Sequence, residues 1–248
     1  MSVTAAPAEH GDEPHAGPGV MDDNAYERWL ARIGLPDSGR ELVTAIRRSE
    51  PVRRVRSGAK NTTVRFWSRK MGRVIQAESV TVERPAIYSY ELDQNALEYW
   101  DQPCFIPFVG RYRSGKRYAY DHVPDFLVLK EPGADRKLAE ESCVGFDEWK
   151  REDQLLRLEK EKPWLITRDQ EGHWRCAPGE EWAASRGLYY RIRSSRELDR
   201  VVYENLMFLE DYITRPDTEV DPVTELLIRR RLQGRGHALL KEVLEWVA

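Results

Sequence analysis

The chain of 248 residues contains few cysteines and no long apolar run. Its three cysteines, Cys104, Cys143 and Cys176, lie far apart and form no Cys-x-x-Cys pair. That spacing argues against a disulfide framework or a zinc site and indicates a reducing compartment. No stretch approaches the roughly 20 apolar residues that cross a bilayer, and no signal peptide is visible. We therefore expect a cytoplasmic protein that has no membrane partner.

The chain also lacks an overall positive charge, since its formal net charge is −3. Nucleic-acid binding would therefore need a local basic patch. Residues 47–73 are such a patch: they contain one acid, Glu50, and are interrupted at Ser57-Gly58-Ala59, which predicts extended arms. Each base can neutralise a phosphate and release a counterion; the alternative is an ordinary solvated face. The predicted nucleic-acid contacts are Arg47, Arg48, Arg53, Arg54, Arg56, Lys60, Arg65, Arg69, Lys70 and Arg73.

The order of the predicted elements indicates a mixed α/β core. Apolar residues recur every three or four positions in the predicted helices and every second position in the predicted strands. Pro103 and Pro107 interrupt the first core strand, which suits a bent or edge strand. The core is expected to hold a helix within 78–97, strands at 99–109, 118–129 and 142–150, a helix at 153–161 and a strand at 164–167.

Beyond residue 169 the sequence predicts a strand at 188–192, followed by amphipathic helices. Ser194 and Glu197 have the spacing of a capping box, which marks the start of a helix. Gly234-Arg-Gly236 separates the last two helices, as in a helix-turn-helix fragment. The chain stops at Ala248 without a polar tail, so we expect that it is cut from a longer polypeptide or ends inside a docking surface.

Two of the predicted core strands carry acids and a lysine in a restricted pattern. Asp125 opens one strand, and Glu148 and Lys150 lie two residues apart on another. Side chains two apart on a strand point to the same face, so Glu148 and Lys150 share a face while Asp147 points away. His122 is expected to be a loop residue, with a role as a third metal ligand as the alternative.

If these two strands are neighbours, two carboxylates and one ammonium converge on a single point. Hard oxygen ligands suit Mg²⁺, with Mn²⁺ expected to substitute, and a lysine beside the ion can orient an attacking water. Pro124-Asp125 and Glu148-Trp-Lys150 are in this way similar to the PD-(D/E)xK nuclease constellation. The alternative is a surface hairpin with scattered charges, because a bare match of this kind is common by chance.

Further motifs flank this pattern. They are Glu78-Ser79, Val82-Glu-Arg-Pro85, Tyr90-Glu-Leu-Asp93, Leu97-Glu-Tyr-Trp-Asp-Gln-Pro103, Val123-Pro-Asp-Phe126, Trp164-Leu-Ile-Thr167, Gly172-His-Trp174, Gly187-Leu-Tyr-Tyr-Arg191 and Asn205-Leu-Met-Phe-Leu-Glu-Asp-Tyr212. In this order they resemble the TnsA family, the endonuclease subunit of heteromeric Tn-type transposases. The resemblance covers roughly residues 45–230.

The resemblance implies an α/β fold with a restriction-endonuclease-like core, in which helices flank a mixed sheet, and a smaller, mainly helical C-terminal domain. Four parts are expected. They are a disordered tail at 1–21, a helical and basic arm at 22–75, a nuclease domain at 76–168 and a partner-docking, winged-helix-like domain at 169–248.

The resemblance also implies an Mg²⁺-dependent DNA endonuclease that cleaves the 5′ strand at transposon ends. Its partners would be double-stranded DNA in the nucleoid, a DDE transposase subunit (TnsB) that cuts and joins the 3′ strand, and an AAA+ regulator (TnsC). The family's helix glutamate falls on Glu83, and Glu78 is an alternative because the spacing from Ser79 departs from the family pattern. The implied catalytic set is Glu83, Asp125, Glu148 and Lys150, with the three acids as metal ligands and Gln102 as an accessory candidate.

Two other functions fit the same residues. A stand-alone restriction or repair nuclease would share the fold and the site, but it would not need the downstream motifs. A non-catalytic adaptor would bind transposon-end DNA or the regulator, but it would not need an intact set of three acids and a lysine.

Overall fold

The computed structural model describes residues 20–53, 63–112, 114–132, 143–210 and 221–247. The predicted disordered tail lies almost wholly outside these ranges, as do Arg54, Arg56 and Lys60 of the predicted basic patch. The chain divides into two compact units, Met1–Phe208 and Leu209–Ala248. Within the described ranges, no helix combines the length and the apolar character that a membrane crossing requires.

The described residues form a mixed α/β structure, as predicted. Its helices are α1 (Asp23–Ile33), α2 (Asp37–Arg47), α3 (Glu83–Leu92), α4 (Glu152–Glu161), α5 (Ala177–Ala184), α6 (Arg200–Phe208), α7 (Pro222–Arg235) and α8 (Leu240–Val247). Its strands are β1 (Val64–Ser68), β2 (Arg73–Ala77), β3 (Ala96–Asp101), β4 (Ile106–Arg111), β5 (Arg117–His122), β6 (Phe126–Lys130), β7 (Val144–Lys150), β8 (Thr167–Arg168), β9 (Trp174–Arg175) and β10 (Tyr189–Ser194).

A four-stranded mixed sheet with the order β10-β7-β6-β3 forms the centre of the first unit. β6 pairs antiparallel with both β3 and β7, whereas β10 pairs parallel with β7. β6 and β7 are buried on both faces along almost their whole length. β6 is a nearly continuous apolar run, as expected for a strand covered on both sides, whereas β7 also buries Asp147 and Glu148.

Two predicted strands are in fact broken, and each break creates a corner of the site. The predicted strand at 118–129 is wrong: it is β5 and β6, which belong to different sheets. Pro124 lies in the break, and it has no N–H with which to continue a ladder. The predicted strand at 99–109 divides in the same way into β3 and β4, at Gln102-Pro103.

The end of the first unit differs from the predicted domain division at residue 169. β10 lies beyond that division, yet it is the edge strand of the central sheet. The predicted capping box is present, since the Ser194 hydroxyl and the Glu197 carboxylate cap each other's backbone amides. It closes a short 3₁₀ turn at Ser195–Glu197, and α6 begins only at Arg200.

Candidate active site

The central sheet and α3 bring the four predicted catalytic side chains to one cavity of about 420 Å³, lined mainly by charged and polar groups. Asp125 lies at the corner that enters β6, next to β7 in the sheet. Glu148 and Lys150 lie on β7, and Glu83 is the first residue of α3. Residues from three separate elements therefore meet at the ends of β6 and β7.

Backbone amides hold two of the acids in place. The Trp149 N–H donates to Asp125 Oδ2 at 2.7 Å, which ties the corner before β6 to the backbone of β7. The Glu78 N–H donates to Glu83 Oε2 at 2.7 Å. Glu83 is buried on α3, whereas Glu78 lies before the helix and pairs with Arg53. Glu83 is therefore better placed than Glu78 for the helix position.

Glu148 is bound on both of its oxygens. Lys150 Nζ, on the same face of β7, donates to Glu148 Oε1 in an ion pair. His122 Nε2 lies 3.1 Å from Glu148 Oε2 and 3.0 Å from the Tyr190 hydroxyl. The expectation that His122 is a loop residue is wrong, because β5 ends on it and turns its ring into the cavity. Tyr190 is a site neighbour that the sequence did not indicate, since β10 was not expected beside β7.

The pKa values of the three acids diverge. Burial raises the pKa of Asp125 well above its usual range, and the charges of Glu148 and Glu83 raise it further. Burial likewise raises the pKa of Glu83 to about 7. Burial also opposes ionisation of Glu148, but Lys150 and His122 outweigh it and lower this pKa to about 2.

The lysine is held as a cation. Burial alone would lower the pKa of Lys150, but the carboxylates of Glu148 and Asp125 raise it above its ordinary value. Three carboxyl groups therefore share one ammonium, and burial, together with the repulsion among them, disfavours ionisation of Asp125 and Glu83. Such divergent pKa values in one cavity are typical of functional sites.

The oxygen donors suit a hard divalent cation. Asp125, Glu148 and Glu83 offer the carboxylate ligands that Mg²⁺ and Mn²⁺ prefer, and a cation would relieve the repulsion among them. Within the described ranges, however, no three Asp, Glu, His or Cys side chains lie close enough to hold a cation between them. Each acid instead accepts a hydrogen bond from the protein, so cation binding requires that some of these bonds be replaced.

Gln102 lines the same cavity and has an unusual backbone, with a φ of +46°. Such a conformation is uncommon for a residue with a side chain and costs about 1 kcal/mol or more. The Gln102 N–H donates to the Asp125 carbonyl at 3.0 Å, and its carbonyl accepts from the Val52 N–H at 3.0 Å. Its buried Oε1 has no hydrogen-bond partner in the described part of the chain. Gln102 therefore positions the corner that carries Asp125.

The other face of β7 carries Asp147, which points away from Lys150 as the alternation predicts. Asp147 Oδ2 accepts from the Tyr90 hydroxyl at 2.7 Å. Arg191 and Arg193 of β10 lie 3.4 and 3.5 Å from its two oxygens. Trp149 packs in the core, and its indole N–H donates to Tyr90.

The predicted basic patch does not form one surface. The Arg47 side chain is only 9% exposed, and its Nε and Nη2 each donate to the Glu98 carboxylate at 2.8 Å. Lys70 lies at the end of α3, where it binds backbone carbonyls. Both cations are already bound inside the protein, which disfavours the two predicted phosphate contacts. Lys70 Nζ donates to the carbonyls of Tyr90, Asp93 and Ala96 at 2.5, 2.6 and 2.7 Å.

The remaining described members of the patch differ in their surroundings. Arg73 lies over the Trp100 ring and 3.5 Å from Glu50. Arg53 pairs with Glu78 and lines the cavity. The other described members are half-buried Arg69 and exposed Arg48 and Arg65. For these residues, phosphate contact stays a prediction.

Comparison with known proteins yields no relative, since no protein-family model and no curated protein sequence matches the chain. The chemistry of the cavity is therefore inferred from its own residues.

Proposed function

We propose that this protein is a metal-dependent DNA endonuclease of the TnsA type, which hydrolyses the 5′ strand at transposon ends. One observation carries the proposal: Glu83, Asp125, Glu148 and Lys150, which are distant in sequence, line a single polar cavity. The chemistry of a phosphodiester hydrolase needs acids that bind a cation and a donor that faces developing negative charge. A surface hairpin with scattered charges would not bury these groups together.

The finer fold assignment belongs to the same proposal. A restriction-endonuclease-like core is supported by the mixed sheet, in which the aspartate precedes β6 and the Glu-x-Lys pair lies on the adjacent β7. The helix α3 places its first residue, Glu83, at the same cavity. The order of acid, acid and lysine along the chain agrees with the family pattern.

Asp125 and Glu148 would hold Mg²⁺ or Mn²⁺, with Glu83 as a further ligand. When bound, the cation polarises the scissile phosphate and activates a water. Lys150 remains protonated beside Glu148, so it acts as a hydrogen-bond donor to the phosphate or the water rather than as a base. Gln102 and Trp149 position Asp125 through their backbone amides.

The partners implied by the resemblance complete the proposal. A DDE transposase (TnsB) would process the 3′ strand, and an AAA+ regulator (TnsC) would bind the C-terminal part. The second unit exposes apolar side chains on both of its described helices, including Val223, Leu226, Leu240 and Leu244. Exposed apolar surface of this kind is consistent with protein binding.

A strand-specific cleavage assay on transposon-end DNA tests the proposal, with and without the DDE transposase encoded beside this chain. We expect Mg²⁺-dependent cleavage of the 5′ strand. Asp125→Asn and Lys150→Met should lower the rate at least about 100-fold. Glu161→Gln, an exposed acid on α4, is the matched control and should leave the rate unchanged.

The outcomes separate the alternatives. Cleavage without the transposase, and without preference for transposon ends, would indicate a stand-alone nuclease. DNA binding without cleavage under every condition would indicate an adaptor. Equal cleavage by the unsubstituted chain and by both site variants would contradict the site assignment.

A further inference from the structure

The hairpin of β4 and β5 forms a two-stranded sheet of its own, and one of its ends lies at the candidate site. Ile106 pairs with His122 at this end, and Arg111 pairs with Arg117 at the other. Gly115, with a φ of +82°, makes the turn. The hairpin therefore connects the cavity directly to a basic tip.

The two faces of the β4–β5 hairpin differ. Cross-strand partners share a face, so Phe108, Tyr120 and His122 lie on one face, where Phe108 is buried and its ring lies 4.6 Å from the His122 ring. The outer face begins with Pro107 and Asp121, continues through the small pair Val109 and Ala119, and ends with Arg111 and Arg117. This outer face is exposed and carries short side chains between its ends, with the acid Asp121 at the end beside the cavity and the two arginines at the tip.

The charge at the tip is uncompensated. Arg111 and Arg117 are direct cross-strand partners, and like charges in that position destabilise a hairpin. Lys116 lies in the turn between these two arginines, next to Arg117, and all three side chains are exposed. Arg111 donates to the Gly115 carbonyl at 3.0 Å, and no acid of the described residues forms an ion pair with any of the three. An anion bound between the strands would offset this repulsion.

The tip is also held in place. The Tyr112 ring packs against Trp164 at 5.0 Å and against Tyr118 at 5.2 Å. Gly110 leaves room for the Tyr118 ring, because a side chain there would collide with it. At the other end, Phe108 contacts Tyr190 of the central sheet. A basic tip that is fixed relative to the cavity loses little entropy when it binds a ligand.

We propose that the β4–β5 hairpin binds the DNA backbone and that Lys116 and Arg117 contact phosphates on the flank of the scissile one. This inference rests on the proposed nuclease function, and it identifies the DNA-contacting surface. DNA is the partner that fits, because two-stranded ribbons enter the major groove and basic tips bind phosphates. Arg47 and Lys70 of the predicted patch are already bound inside the protein, whereas the hairpin tip is exposed.

The length of the hairpin sets the distance to the contacted phosphates. Five residue steps separate His122 from Arg117, which is about 17 Å at roughly 3.4 Å per residue. Phosphates along one strand of B-DNA are about 3.4 Å apart along the axis. The tip should therefore contact DNA within about five nucleotides of the cleavage position.

The salt dependence of DNA binding tests the contact, with the full chain in EDTA so that no cleavage occurs. Affinity for a labelled transposon-end duplex is measured over a range of NaCl concentrations. For Lys116→Ala/Arg117→Ala, the slope of log affinity against log salt should be shallower by about 1.8, because two phosphate contacts are lost. Arg28→Ala/Arg32→Ala, which removes the same charge from α1, should leave the slope unchanged.

Three results would overturn the inference. Equal slopes for the hairpin and α1 variants, alongside normal cleavage by the unsubstituted chain, would reject the hairpin contact alone. An unchanged slope together with lost transposase binding would assign the tip to an acidic protein surface instead. Absence of both DNA binding and cleavage in the unsubstituted chain would reject the proposed function as well.

The position of the contact has its own measurement. An iron–EDTA label on Ser114→Cys, in the exposed turn, should cut DNA within about five nucleotides of the cleavage position. The experiment uses an Asp125→Asn background, and the labelled chain without the Ser114 substitution controls for the native cysteines. Scission that is absent or is identical in the two proteins would contradict the proposed placement.

Discussion

The two faces of β7 both bury a carboxylate beside cations, but they balance charge differently. On one face Asp147 has two arginines and a tyrosine hydroxyl, so a single negative charge is fully compensated. On the other face Glu148 shares one lysine with Asp125 and Glu83. We expect the compensated face to stabilise the sheet and the face with surplus carboxylate to bind a cation. Adjacent residues of one strand thus serve structure and function separately.

The largest effect on stability is expected on the compensated face. Asp147→Asn removes the carboxylate that Arg191 and Arg193 share, although Arg193 keeps its ion pair with Glu197, and removing one partner of a buried ion pair costs about 3 kcal/mol or more. Urea unfolding measures this loss. Cleavage by the folded fraction should be retained, so loss of cleavage without loss of stability would break the distinction between the faces.

The opposite face should gain stability when its surplus charge is removed. The raised pKa of Glu83 means that the folded state favours the protonated acid. The contribution of protonated Glu83 to the free energy of unfolding is fully present at pH values below the unfolded pKa near 4.5, and it is lost as the pH rises through about 7. Because glutamine stays neutral at every pH, Glu83→Gln avoids the buried charge that forms at high pH. The substitution should stabilise the metal-free protein by about 2 kcal/mol at pH 8 and have little effect at pH 4.5.

Thermal unfolding in EDTA at both pH values measures this difference. Glu161→Gln on exposed α4 is again the matched control, and it should show no such dependence on pH. Destabilisation of Glu83→Gln at pH 8 would place Glu83 with the structural acids instead.

The smallest effect is expected at Tyr190, whose hydroxyl lies beside His122. Tyr190→Phe removes the hydroxyl that lies 3.0 Å from His122 Nε2. One hydrogen bond contributes about 1 kcal/mol, so the cleavage rate should fall about fivefold. Tyr26→Phe loses a comparable bond to Thr44 far from the cavity. Equal rates for the two variants would show that His122 needs no support from Tyr190.

Strand alternation was sufficient to predict the division between the faces. The two-residue period put Glu148 with Lys150 and Asp147 opposite, because it depends only on local backbone geometry. The strand at 142–150 was likewise predicted, and it is present as β7. These features are set by neighbouring residues, so they can be read from a short stretch of sequence.

Features set by distant residues could not be predicted in this way. From the sequence Arg47 is predicted to be a surface cation, whereas in the structure it binds Glu98, which lies 51 residues away along the chain. His122 could not be placed from the sequence, because the break between β5 and β6 at Pro124 was not predicted. Tyr190 joins the site only through parallel pairing of β10 with β7, and such pairing leaves no signal in the local pattern.

The parallel pairing of β10 with β7 also determines when the cavity can assemble during synthesis. β7 leaves the ribosome with its outer edge unpaired, and α4, β8, β9 and α5 must follow before β10 is made. Parallel neighbours need such a crossover, and long-range pairings form late. Until then, a nascent chain lacks the arginines that neutralise Asp147 and the tyrosine beside His122. Fragments that end before residue 189 should therefore lack the complete cavity and, if the proposed function holds, should not cleave DNA.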